Sequence, residues 1–165
     1  MTCTILSSGD EFRTLCQNEW EQPFFGIKVI VQEKIWELYQ KGYERFYVNC
    51  DYGTPMWAAE FILSLKAGNQ IELHIMTPYE EQTTDWTEEL RNRYFAIHEK
   101  ADSVTLANTK YDPFCYFDTD EKMIDQSDLL LIFGGEKGAP LAEEYAKKKN
   151  IPIEYQQIVK SFRER

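Results

Sequence analysis

Residues 129–138 read Leu129-Leu-Leu-Ile-Phe133-Gly134-Gly-Glu-Lys-Gly138. Five consecutive apolar residues have the length of a strand. A strand apolar at every position has to be covered on both faces, which is the situation of a parallel sheet. Three glycines in the next five residues permit a tight turn and close backbone approach. Residues 139–149 then place Leu141, Ala142, Tyr145 and Ala146 on one side and Glu143, Glu144, Lys147 and Lys148 on the other. That is the pattern of a helix burying one stripe, and the lysines of its last turn favour the helix dipole. Strand, glycine turn and helix together form the unit of an α/β fold.

The same alternation extends in both directions. Residues 2–7 read as a first strand, and residues 10–23 as irregular chain or a short helix. Across 25–39, Ile27, Val31, Ile35 and Leu38 recur on one helical face, and Gly42 follows as a stop signal. Residues 45–49 are a second strand. Thr54 then reads as a helix cap, with Pro55 suited to the first helical position. That helix runs to about residue 66. A third strand covers 70–76, where Ile71, Leu73 and Ile75 alternate with Glu72 and His74; alternation of this kind places a strand near a sheet edge. Further elements are a helix at 86–100, a short strand at 104–106, a short helix at 120–126, a last strand at 151–155 and a helical tail at 158–165. The expected architecture is one domain over residues 1–165: α/β, Rossmann-like, three-layered, with a mainly parallel sheet and helices on both faces.

The chain has 165 residues with 18 Lys+Arg and 28 Asp+Glu, a formal net charge of −10. Phosphate backbones and anionic membranes require clustered cations, so this balance argues against a general nucleic-acid or membrane binder. Hydrophobic residues at 43% and aromatic residues at 15% argue against a disordered chain. Cys3, Cys16, Cys50 and Cys115 form no C-x-x-C pair, and His74 and His98 are the only histidines. Neither a metal site nor a cofactor is expected from such spacing. No run approaches the ~20 apolar residues of a membrane span. The apolar run at the start is too short for a secretory leader. We therefore expect a reduced, cytoplasmic protein. Four tryptophans, ten tyrosines and ten phenylalanines exceed the needs of one small core and suggest a homo-oligomer.

Ligands of open parallel sheets bind outside the carboxyl ends of the strands. The candidate wall is therefore Ser7, Ser8 and Gly9, then Cys50, Asp51, Tyr52, Gly53 and Thr54, then Gly134, Gly135, Lys137 and Gly138. Two of these turns enter helices, whose first N–H groups attract anions, and Lys137 adds a cation. The glycine turn matches neither G-x-G-x-x-G nor a P-loop, so a purely geometric role for its glycines stays open. A cysteine at the end of a strand can have a lowered pKa, but Asp51 beside Cys50 acts against that, and a buried thiol is the simpler reading. Asp51, Glu60 and Asp128 are carboxylates able to act as acid or base. His74 and His98 read as surface residues.

Several stretches carry a resemblance: Trp57-Ala-Ala-Glu60, Thr77-Pro-Tyr-Glu-Glu-Gln82 with Trp86, Arg91 and Tyr94, Ala101-Asp102, Met123-Ile-Asp-Gln-Ser-Asp128, and Tyr145-Ala-Lys147 after the glycine turn. Together they resemble the YpsA-like branch of the SLOG superfamily, relatives of the LOG phosphoribohydrolases and of DprA, over about residues 25–153. The resemblance implies a Rossmann-like fold with a pocket for a nucleotide or nucleotide-derived ligand. It also implies Glu60 as the catalytic carboxylate if the chain cleaves an N-glycosidic bond. Gly53, Glu60 and Gly138 fit the family pattern. Ser7-Ser8-Gly9 replaces the family's Gly-His-Arg, Cys50 a glycine, Pro55 an aspartate, Thr119-Asp120 an Arg-Asn pair, and Lys137-Gly138-Ala139 a Gly-Gly-Thr turn. Each lost charge-assisted phosphate contact is worth about 1.5–3 kcal/mol. The sequence therefore reads as a non-catalytic binder or sensor of a small nucleotide-like ligand. An N-glycosidic hydrolase and an oligomeric interaction protein with a vestigial pocket are the alternatives.

Overall fold

The computed structural model describes residues 1–8, 23–134 and 138–158. The expected irregular segment at 10–22, the tail beyond 158, Gly9, Gly135 and Lys137 lie outside the described residues. The elements run β1 (Thr2–Ser7), α1 (Pro23–Gln40), β2 (Arg45–Val48), α2 (Thr54–Leu65), β3 (Glu72–Thr77), α3 (Glu88–Lys100), β4 (Ser103–Leu106), α4 (Cys115–Asp125), β5 (Leu129–Gly134), α5 (Pro140–Lys148) and β6 (Ile153–Gln157). Every strand pairing is parallel, in the order β4-β3-β2-β1-β5-β6. The fold is thus the Rossmann-like α/β arrangement that the alternating pattern implies. All six residues of β5 are buried, as an uninterrupted apolar run requires.

Two cores flank the sheet. On the first face, Cys3, Ile5, Phe46, Val48, Leu73, Ile75, Leu131 and Phe133 meet Ile27, Val31, Ile35 and Leu38 of α1, Met56 and Ile62 of α2, and Leu90, Tyr94 and Ile97 of α3. On the second, Leu6, Met76, Leu130 and Ile132 meet Met123 and Ile124 of α4 and Ala142 and Ala146 of α5. The division follows from handedness. The chain steps from β1 out to β4 in one direction and from β5 to β6 in the other. Right-handed crossovers then put α1–α3 on one face and α4 and α5 on the opposite one. The direction reverses between β1 and β5, which makes that pair the switch point where ligands of such sheets bind. At the other end of these strands, Asp128 ties the start of β1: the Thr2 amide donates to Asp128 Oδ2 at 2.8 Å. Asp128 therefore has a structural role.

Most boundaries differ from the sequence reading by a residue or two, and four differences have a readable cause or consequence. Helix α3 starts at Glu88, two residues later than Trp86, because the Thr87 hydroxyl accepts from the Leu90 amide at 3.3 Å and fixes the cap. Helix α4 starts at Cys115, five residues before Asp120, because Asp112 accepts the amides of Phe114 and Cys115 at 2.7 and 3.0 Å. Strand β6 is shifted to Ile153–Gln157. Thr54 is the first residue of α2 and does not cap it; Gly53 is the N-cap and no side chain bonds there. Backbone oxygens serve instead, with the amides of Met56 and Trp57 donating to Asp51 and Gly53 at 3.0 Å each.

Candidate functional site

At the switch point the strand ends are close-packed. The Ser8 amide donates to Phe133 O at 2.8 Å. Gly134 has φ 151°, and a Cβ built there would stand 1.7 Å from Ser8 Oγ. Only a glycine lets Ser8 lie over the end of β5, and Ser8 is itself buried. Serine and glycine here close the gap between β1 and β5, and the neighbouring turn after β2 is buried except at Asp51, which is half-buried.

That turn covers residues 49–54. Cys50 has φ 58° and Gly53 φ 91°, so two residues hold left-handed backbone and one of them is not glycine. Such a conformation costs a non-glycine residue about 1–3 kcal/mol and persists where surrounding structure imposes it. Here Asn49 Oδ1 accepts the Asp51 amide at 3.0 Å and Asp51 Oδ1 the Tyr52 amide at 3.1 Å. Gln82, arriving from beyond β3, donates from Nε2 to Asn49 O at 3.2 Å. Among the described residues, two buried side-chain oxygens are left without a partner: Thr54 Oγ1, in a fully buried residue, and Gln82 Oε1. A buried polar atom without a partner costs about 1–3 kcal/mol. Both flank the same turn, and the Gln82 oxygen can only accept.

The remaining candidates divide. Tyr52 turns into the core, edge-on to Trp86 at 5.1 Å between ring centroids. The Cys50 thiol is pushed up well beyond its ordinary range by burial, with Glu60 and Asp51 adding repulsion, so it is no thiolate nucleophile. At α5 the expected anion seat is already filled. The Ala139 amide donates to Glu143 Oε2 at 2.8 Å, and that oxygen lies 2.6 Å from where a Gly138 Cβ would stand. A carboxylate on its own helix N-terminus competes with any phosphate.

Glu60 lies away from the turn, in a groove of about 400 Å³ lined by Lys28, Trp57, Phe61, Glu89 and Arg93 among others. Arg93 grips it as a fork: Nε donates to Glu60 Oε2 at 3.2 Å and Nη2 donates to Oε1. Arg93 is the arginine that the sequence reading did not place beside Glu60. The two are 33 residues apart, and only the packing of α2 against α3 joins them. His98 is half-buried, not a surface residue; Nδ1 bonds Tyr94 O at 2.9 Å and burial lowers its pKa. Asp120 has its carboxyl pushed up to about 8 by burial. Among the described residues no group of three or more His, Cys, Asp or Glu is arranged to hold a metal. No described helix is long and apolar enough to cross a membrane.

A family model, YpsA (YspA SLOG family), matches residues 15–159. The chain belongs to this YpsA SLOG family. A UPF0398 protein of Halalkalibacterium halodurans is 33% identical over 129 residues, covering 74% of this chain and 68% of the relative. A UPF0398 protein of Macrococcus caseolyticus is 30% identical over 109 residues, covering 65% and 60%. One of Staphylococcus haemolyticus is 29% identical over 119 residues, covering 69% and 64%. The chain thus matches about 60–68% of the length of these relatives. In this YpsA-family chain, the two unpartnered buried side-chain oxygens among the described residues both flank the turn after β2.

Proposed function

We propose that this YpsA-family protein binds a small nucleotide-derived ligand without turning it over, at the turn of residues 49–54. The observation that supports this most is the pair of buried, unpartnered oxygens, Thr54 Oγ1 and Gln82 Oε1. An acceptor-only oxygen calls for a donor, such as a ribose hydroxyl or a base amino group, and not for a phosphate. Several features weigh against strongly anionic ligands. Pro55 has no amide hydrogen, the Met56 amide is already bonded to Asp51 O, and Glu143 occupies the start of α5. Affinity for ATP is accordingly weak, about 0.1–1 mM or worse. Ser7 and Ser8 on one side and Gly134 and Gly138 on the other complete the proposed wall. Base release from nucleoside monophosphates is not expected, because Arg93 holds both oxygens of Glu60.

The same reading takes the protein as a cytoplasmic homo-oligomer. Phe25, Phe95, Tyr111 and Phe114 are more than half exposed, and exposed aromatic residues favour interfaces. Titration calorimetry with adenosine, AMP and ATP tests the binding role. Tighter binding of adenosine than of ATP supports it, and heat from none of the three, or a strong preference for ATP, contradicts it. Light scattering at tens of micromolar tests the oligomer.

A further inference from the structure

At the other end of the sheet, three polar side chains line up on the second face. Glu72 and His74 stand two residues apart on β3 and so share a face. Ser103, the first residue of β4, is in register with His74. Ser103 Oγ lies 2.6 Å from His74 Nδ1, and Glu72 Oε2 lies 3.0 Å from His74 Nε2. Tyr47 of β2, in register on the other side, stacks on the imidazole with ring centroids 5.0 Å apart and planes at 24°. Arg45 Nε stands 3.8 Å from the same Glu72 oxygen.

The tautomer follows from these partners. A carboxylate only accepts, so His74 Nε2 carries the hydrogen. In the neutral form of the ring, Nδ1 is left as an acceptor 2.6 Å from Ser103 Oγ, the arrangement in which the hydroxyl donates to it. Nucleophile, base and orienting carboxylate in one chain of hydrogen bonds is the arrangement that activates a serine. The ring is turned end for end relative to the usual protease order, but the chemistry needs only one free nitrogen and one held nitrogen. A hydroxyl–imidazole bond made merely to tie β4 to β3 would not require a carboxylate behind the ring. Oxyanion donors are also at hand. The Ala107 amide turns inward to Thr77 O at 2.8 Å, so strand alternation turns the amides of Leu106 and Val104 toward the open edge. β4 ends the sheet on that side among the described residues. The Val104 amide follows directly after the nucleophile and faces any carbonyl arriving along this edge.

We propose that Ser103, with His74 as base and Glu72 as positioning residue, hydrolyses small carboxylic esters presented at the edge of β4. Ser103 Oγ attacks the ester carbonyl as its proton passes to His74 Nδ1. The bond to the alcohol breaks, and the alcohol leaves with that proton. Water then attacks the acyl-serine, gives a proton to His74, and releases the acid as Ser103 Oγ recovers the proton. The net reaction is ester plus water to acid plus alcohol.

The test incubates the full chain with p-nitrophenyl acetate, follows release of the phenolate, and maps acetylated peptides by mass spectrometry. The expected result is acetyl on Ser103 and continued release. Release is lost in Ser103→Ala and falls about 100-fold in His74→Gln, the usual scale for a lost general base. Glu72→Gln lowers kcat with KM unchanged, and Glu72→Asp restores part of it; a purely structural carboxylate would not divide the constants that way. Circular dichroism and a thermal melt confirm that each variant is folded, and Ser103→Ala, the smallest change, serves if another variant is not. Release no faster than in buffer, release that survives Ser103→Ala, or acetyl found only on other residues overturns the proposal.

Discussion

Replacing Gly134 with alanine tests the packing at the switch point. The added methyl would lie 1.7 Å from Ser8 Oγ, 2.6 Å from Ser8 Cβ and 3.1 Å from Ser8 N. Rotating the Ser8 hydroxyl relieves the first contact only. Ser8 Cβ is fixed to a backbone whose amide is held by Phe133 O at 2.8 Å, so the strand ends have to separate. Overpacking costs about 1–3 kcal/mol, and an L-residue forced to this φ adds about 1–3 kcal/mol. We expect a total of roughly 2–6 kcal/mol, which at 2–4 °C per kcal/mol is roughly 4–24 °C in Tm. Ser8→Gly removes the two shortest contacts. The double variant should therefore be more stable than the sum of single effects, by about 1–3 kcal/mol of coupling. Urea unfolding of all four proteins completes the cycle. A Gly134→Ala protein melting within about 2 °C of the parent, or strict additivity, would refute the close packing of Ser8 on β5.

Other consequences follow from individual groups. Burial pushes the Asp120 carboxyl up to about 8 in the fold, against ~3.9 unfolded. Between these values the folded chain holds the extra proton, so stability falls as pH rises from ~4 to ~8. Asp120→Asn should remove that slope. Part of the residue's surface stays exposed even though burial dominates at its carboxyl, so the expected gain is about 1 kcal/mol at pH ~8.5 and none at pH ~4, read from urea melts. Cys3, Cys50 and Cys115 are buried and should resist an alkylating reagent until the protein unfolds; modification of any of the three in native protein, mapped by mass spectrometry, would contradict their packing. Free base should not appear from AMP in a chromatographic assay, and release abolished by Glu60→Gln would restore the hydrolase reading.

The fold was legible where the signal is local. The apolar run of β5 and the stripe Ile27, Val31, Ile35, Leu38 of α1 repeat at the period of their own element, and burial follows. Helix starts were less so, because caps depend on a single side chain outside the periodic stretch: Asp112 sets the start of α4 and Thr87 that of α3. At the site, the positive-φ turn at Gly53 could be suspected from a glycine before a helix. That Thr54 would be left unbonded could not, because its burial is set by elements distant in sequence. Arg93 with Glu60 and Ser103 with His74 are pairs from different elements, 33 and 29 residues apart, and no local spacing announces them. A signal for part of the second pair did exist, since Glu72 and His74 alternate onto one face of β3. Glu143 carried a cue too, as an acidic residue in the first turn of a helix, but its capture of the Ala139 amide closes a site that the glycines had suggested was open.

Thr54→Val tests the binding role most directly, because valine keeps the shape and removes the hydroxyl. If Thr54 Oγ1 is a ligand contact left unpaired in the free protein, its removal stabilises the free protein by about 1 kcal/mol, relieving a buried unsatisfied group. The same change should weaken adenosine binding about tenfold, equivalent to about 1.4 kcal/mol. Thermal melts and titration calorimetry on one preparation read both effects. Higher stability together with weaker binding is the predicted result. A destabilised variant, or one that binds adenosine as the parent does, would contradict a ligand site at the turn after β2.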